Sequence, residues 1–153
     1  MNGTMNSPPT MKIDLRKSGA LDTSTVLAAL NRHEPVMRAV GLVVVSVAQR
    51  SFTEPSLRPS SWAPLAPSTL KQRKAQGRGS SPLMKTGLLS RSPRIGSISS
   101  TVEVVSDRPY AAYQQLGTKF APARPFFPFT KSGKPTAKVS ALIKAAAVKS
   151  LGL

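Results

Sequence analysis

The chain has 153 residues, 22 Lys and Arg against 6 Asp and Glu, and no cysteine. Its formal net charge of +16 suits a polyanionic partner: DNA, RNA, an acidic protein surface or an anionic membrane. The missing cysteines exclude disulfides and thiolate metal sites, and the single histidine, His33, cannot build a histidine metal centre.

One domain is the default at this length, with residues 1–10 as a flexible N-terminus and residues 11–153 as a single α+β unit. The polar start MNGTMNSPPTMKID has no apolar signal core. The longest apolar run, Ala39 to Val45, falls well short of the ~20 residues that cross a bilayer. A soluble protein used in a reducing cytoplasm, with no membrane partner, is expected.

Met11 to Arg16 alternates apolar and charged residues, the pattern of a half-buried strand. Asp22 or Thr23 then caps a short helix running to Asn31. Pro35 suits the first turn of a second helix, from about Glu34 to Phe52, on which Val36, Val40, Val43 and Val47 recur at helical spacing. The run Val43-Val44-Val45 also has strand propensity, which length and Pro35 outweigh. Prolines 55, 59, 64 and 67 predict an irregular extended loop anchored by Trp62, and Ser68 is the expected cap of a basic helix from Thr69 to Gln76.

GRGSS at 77–81 is a flexible connection, and Leu83 to Leu89 forms one or two turns about Thr86-Gly87. Residues 91–99 and 101–106 read as an antiparallel hairpin, with Val102 and Val104 on one face and Glu103 and Val105 on the other. Tyr110 to Leu116 is a strand or a short helix closed by Gly117. APARPFFPF at 121–129 is extended, because proline recurs too often for a helix. Pro135 to Leu151 is an amphipathic helix with a stripe of Val139, Leu142, Ile143 and Ala146, and Gly152 stands at its C-terminal cap. The fold class is α+β: long helices on a small antiparallel sheet, with extended proline-rich loops or arms.

No reaction centre emerges. The acids Asp14, Asp22, Glu34, Glu54, Glu103 and Asp107 are dispersed, no serine sits in a nucleophile elbow, and GRGSS lacks P-loop spacing. The chain is therefore expected to be no enzyme, with no catalytic residue, cofactor or metal. Lys71, Arg73, Lys74 and Arg78 form the densest basic cluster, which fits a phosphate-contacting surface and a solvated helix face equally.

The only Trp, both Tyr and four of the five Phe fall between Trp62 and Phe129, a concentration suited to contacts. Trp62, Leu65, Tyr110, Tyr113, Arg124, Pro125, Phe126, Phe127 and Phe129 are the candidate contact residues. Trp62 and Leu65 are expected to pin the long loop to the core. On the residues alone Arg124 to Phe129 suits an arm between subunits and a core-covering loop equally. The expectation is the arm, contacting a neighbour together with the 53–67 loop, so that charge reversal at Arg124 impairs assembly more than monomer folding.

Trp62-x-Pro-Leu, a Thr69-x-x-x-Lys helix start, Leu83-x-x-Thr-Gly-x-Leu, Tyr110-Ala111, Gln115-x-Gly117 and Ala123-Arg124-Pro125-Phe126 occur in order. The succession resembles the tailed-phage virion morphogenesis proteins, the tail completion family, over about Met11 to Leu151. It departs from the family pattern at Gln114, where a His is usual, and at Pro128-Phe129, where Leu-Gly often follows.

The resemblance implies a structural protein of the head–tail junction, assembled in the host cytoplasm. By the same resemblance it would act as a homo-oligomeric ring, a hexamer or dodecamer, at the neck of the virion. Its partners would be copies of itself, the adjoining head-connector and tail-tube proteins, and packaged DNA touched without sequence choice. The alternative is a free-standing, sequence-nonspecific nucleic-acid-binding protein.

Overall fold

The computed structural model describes the backbone of residues 10–13 and 33, and residues 34–152 in full. The expected helix at 22–31, the continuation of the first strand past Ile13 and the N-terminal residues 1–9 lie outside the described residues. The architecture is α+β. Strand β1 (Thr10–Ile13) is followed by helix α1 (His33–Arg50), a 3-10 turn (Pro55–Leu57) and helix α2 (Pro67–Ala75). The hairpin β2 (Pro93–Ile98) and β3 (Val102–Ser106) comes next, then helices α3 (Ala111–Leu116) and α4 (Ala137–Ser150).

The sheet order is β1-β3-β2, antiparallel throughout, so β3 is the central strand. Alternation along β3 turns Val102, Val104 and Ser106 inward, each with no exposed surface, and leaves Glu103 and Val105 half-buried. The register of β2 shifts by one residue at Gly96, where a bulge separates Ile95 from Ser97. Ser99 N–H donates to Thr101 O across the tip.

Helix α1 lies between the hairpin and α4. Val36, Val40, Val44 and Val47 are buried along one side, with Met37 and Ala48 beside them. The helix thus prevails over the local strand propensity of the valines, because the 3.6-residue period buries them together. Gly41 marks the closest approach of α1 to the sheet. A Cβ there would stand 2.7 Å from Val102 Cγ2 and 3.0 Å from Ile95 Cδ1. Gly41→Val is expected to lower stability by about 1–3 kcal/mol through overpacking, as measured by urea unfolding.

Three details differ from the sequence expectations. The 53–67 loop is not wholly irregular: Pro55 opens a 3-10 turn that buries Leu57, since proline has no N–H to lose at a first turn. Ser68 is not a cap; α2 starts at Pro67 behind Ala66, whose carbonyl accepts from Leu70 N–H. On α4 the buried row is Val139, Ile143 and Ala147, and Leu142 faces outward at 37% exposure. The packing of α4 against α1 sets the phase of that row, and an alanine serves there as well as a leucine. Thr136 Oγ1 caps α4 by accepting from Val139 N–H, and Gly152 follows its end with φ +75°.

Candidate functional site

Trp62 to Phe129 separates into an inner lacing, a cleft and an outward edge. The lacing comes first, because it holds the other two. Phe126, Phe127 and Phe129 are buried in the core. Phe126 packs on Phe127 and Phe52, with ring centroids 4.7 and 5.5 Å away, and Trp62 meets Phe52 edge-on at 5.5 Å.

Proline-rich chain cannot satisfy its polar groups in a sheet ladder, so side chains do it. Trp62 Nε1 donates to Pro125 O (2.8 Å). Ser51 Oγ donates to Phe126 O (3.0 Å). Gln115 Oε1 accepts from both Phe126 N–H and Phe127 N–H, at 2.9 and 3.0 Å. Arg124 N–H donates to Gln114 O at 2.7 Å. The guanidinium of Arg124 reaches back to the 62–65 loop, with Nε on Ala63 O (2.9 Å) and Nη2 on Pro64 O (3.0 Å).

Gly117 closes α3 with φ +78°, and a Cβ there would stand 2.8 Å from Ala123 N. Only glycine combines that dihedral with that approach. The Gln115-x-Gly117 pair is thus the seat of the extended segment. This corrects the expected arm between subunits: Phe126, Phe127 and Phe129 are buried in their own core and Arg124 is bonded to residues 63 and 64 of its own chain, so the segment covers the core. Trp62 pins its loop as expected, with the Arg58 guanidinium 3.8 Å above its ring. Arg58 also caps α1 by donating to Ser51 O and Phe52 O, and burial pulls its pKa below the ordinary value.

The cleft, of about 310 Å³, opens between the 62–65 loop, the 83–89 loop and α3. Leu65, Leu83, Leu89 and Tyr110 supply its apolar lining. Arg73, Lys85, Thr86, Gln114 and Arg124 supply the polar one. Residues quoted from separate sequence motifs therefore meet here: Leu65, Leu83, Thr86, Tyr110 and Arg124. Leu83 has φ +62°, a dihedral that a non-glycine residue occupies only when its surroundings hold it.

Arg73 departs from the expected role. It is 8% exposed, and its Nη1 donates to Gly79 O and Ser81 O, tacking down the 77–81 loop. It organises the cleft wall instead of standing in an open basic face. Lys71, Lys74 and Arg78 are exposed, and Arg78 Nη1 donates to Lys85 O.

The outward edge is the face of α3 and the turn after it. Tyr110 and Tyr113 are 40% and 50% exposed, Leu116 76% and Phe120 91%. Phe120 sits on a tight turn: Thr118 N–H donates to Ala121 O, and Thr118 Oγ1 accepts from Phe120 N–H and Ala121 N–H. Sequence reasoning passed over Leu116 and Phe120 as contact residues, and picked out Gln115 only as part of the Gln115-x-Gly117 motif, without its acceptor role. The available signal for Phe120 was a lone aromatic beside Lys119 in a Gly-Thr turn, where no periodic pattern could bury it.

Among the described residues no group of three or more His, Asp and Glu side chains could hold a metal. No helix there is long and apolar enough to cross a membrane. What the geometry presents is an exposed aromatic edge beside a cationic cleft. The chain belongs to the phage virion morphogenesis family, whose model matches residues 20–145. No curated protein and no solved structure matches the chain. Membership associates the chain with a phage structural or morphogenesis role and with the virion.

Proposed function

We propose that the protein is a non-enzymatic structural component of a tailed phage, acting in tail completion and head–tail joining as a homo-oligomeric ring at the neck. Copies of itself and the adjoining head-connector and tail-tube proteins are its partners. The observation that carries this reading is the edge Tyr113-Leu116-Phe120, with Phe120 91% exposed on a turn held by Thr118. An aromatic anchor carried on a backbone that a turn already holds loses little backbone entropy on docking. A ring needs two different patches on each subunit, and this edge supplies one.

Phe120→Ser combined with Leu116→Ser is expected to leave the isolated chain within about 0.5 kcal/mol of its original stability, since both side chains face solvent. In the phage, the same pair is expected to give unjoined heads and tails by electron microscopy. Normal infectious particles would refute the proposal.

A nucleic-acid-binding role is the second reading. Lys71, Lys74 and Arg78 are exposed, and residues 55–102 and 108–153 contain no Asp or Glu. It requires duplex binding by the isolated chain that weakens steeply with salt. In the ring, the same side chains would face packaged DNA or an acidic neighbour.

A further inference from the structure

Among the described residues, no acid compensates the charge of the cleft between the 62–65 loop, the 83–89 loop and α3. Arg73, Lys85 and Arg124 line it, and no carboxylate of the described residues does. The four acids among the described residues are engaged elsewhere. Glu34 pairs with Arg38, Glu54 with Arg50 and Asp107 with Arg108, while Glu103 accepts from Ser97 Oγ.

The two arginines are not neutralised by their own contacts either. Arg73 donates to Gly79 O and Ser81 O, and Arg124 to Ala63 O and Pro64 O, all neutral carbonyls. These bonds fix the guanidinium groups in position and leave their charge in place. Lys85, exposed on the rim, adds a cation on a flexible stem. The remaining wall is apolar, with Leu65, Leu83 and Tyr110.

We propose that this cleft docks an acidic side chain flanked by apolar residues, carried on an extended segment of a partner protein. The proposal rests on the reading of the chain as a contact-making structural protein; it does not require a ring. Charge complementarity selects the carboxylate. The leucine and tyrosine walls select apolar neighbours, which a phosphodiester backbone does not offer. A second copy presenting its Phe120 is disfavoured, because Lys119 would enter the cationic cleft with it.

The test uses the full chain and a blocked peptide, acetyl-Leu-Asp-Leu-Glu-Leu-amide, in calorimetric titration at low salt. Its Asn/Gln counterpart and a short DNA duplex serve as comparison ligands. The acidic peptide is expected to bind at least about tenfold more tightly than the amide counterpart, a difference of about 1.4 kcal/mol. Lys85→Glu is expected to weaken it by about tenfold or more, and Lys85→Gln by less. Lys131→Glu, an exposed change outside the cleft lining, is expected to leave binding within about twofold.

Equal binding of the two peptides, or no binding of either, overturns the proposal. So does equal sensitivity to Lys85→Glu and Lys131→Glu, or displacement of the peptide by duplex together with tighter duplex binding. Because the isolated chain is used, failure here is separable from failure of head–tail joining, which the particle images read.

Discussion

Phe126→Ala is expected to cost about 3–5 kcal/mol, the range for emptying a buried phenylalanine site. Phe126 has no exposed surface and touches two other aromatic rings, Phe52 and Phe127. Its loss opens a cavity where α1, the Trp62 loop and the extended segment meet. The rings cannot collapse into that space freely. Phe127 is fixed by its backbone bond to Gln115, and Phe52 sits at the end of α1 under the Arg58 cap. Against a typical total of about 5–15 kcal/mol, such a loss leaves a marginal fold. Urea unfolding of the purified variant measures it, and Phe126→Leu, which refills most of the volume, is expected to lose less. A loss below about 1 kcal/mol for the alanine variant would show that the aromatic cluster does not hold these elements together.

The prediction bears on what the aromatic–proline segment is for. A disabled Phe126 variant reports a folding defect before any assembly defect. Charge reversal at Arg124 has the same character, because its guanidinium ties residues 63 and 64 to the segment within one subunit. Assembly is better probed at Phe120, whose side chain has no part in the core.

The elements governed by local periodicity were legible in the sequence. The valine row and Pro35 announced α1, alternation announced the hairpin, and the apolar stripe beginning at Val139 announced α4. Each signal is written within one or two turns of chain, so no knowledge of neighbours is needed. The direction of the 121–129 segment was not legible. A proline-rich aromatic run satisfies the same sequence rules as a buried strap and as an arm. What decides is whether distant groups accept and supply its hydrogen bonds. Gln115, Trp62 and Ser51 do so from 11, 63 and 75 residues away.

The basic cluster shows the same limit. Arg73 reads like Lys71 and Lys74 in sequence, and only the fold turns it inward onto carbonyls. The cleft was half legible. Its residues were picked out as separate motifs, but nothing in a linear sequence says that Leu65, Leu83 and Tyr110 share one cavity. Phe120 escaped notice because burial arguments look for periodic apolar residues and have no rule for a single one on a turn.

Replacing Gln115 by Met is expected to lower stability by about 2–4 kcal/mol with little change in side-chain volume. The reason lies in the two donors it serves. Phe126 N–H and Phe127 N–H point at one carboxamide oxygen, at 2.9 and 3.0 Å, which fixes the orientation of the amide. Methionine fills the space but accepts almost nothing, and two part-buried N–H groups lose their partner. Each unsatisfied buried donor costs about 1–3 kcal/mol, and partial access to water keeps the sum towards the lower end. Gln115→Glu separates acceptor chemistry from packing: at neutral pH its carboxylate presents an oxygen to both donors, so it is expected to lose less than the methionine variant. Hydrogen exchange reads the local effect, with faster exchange at Phe126 and Phe127 in the methionine variant than in the glutamate one. Equal exchange and equal stability in the two variants would mean that shape alone seats the segment. In that case the fixed position of Arg124 in the cleft wall would need another source.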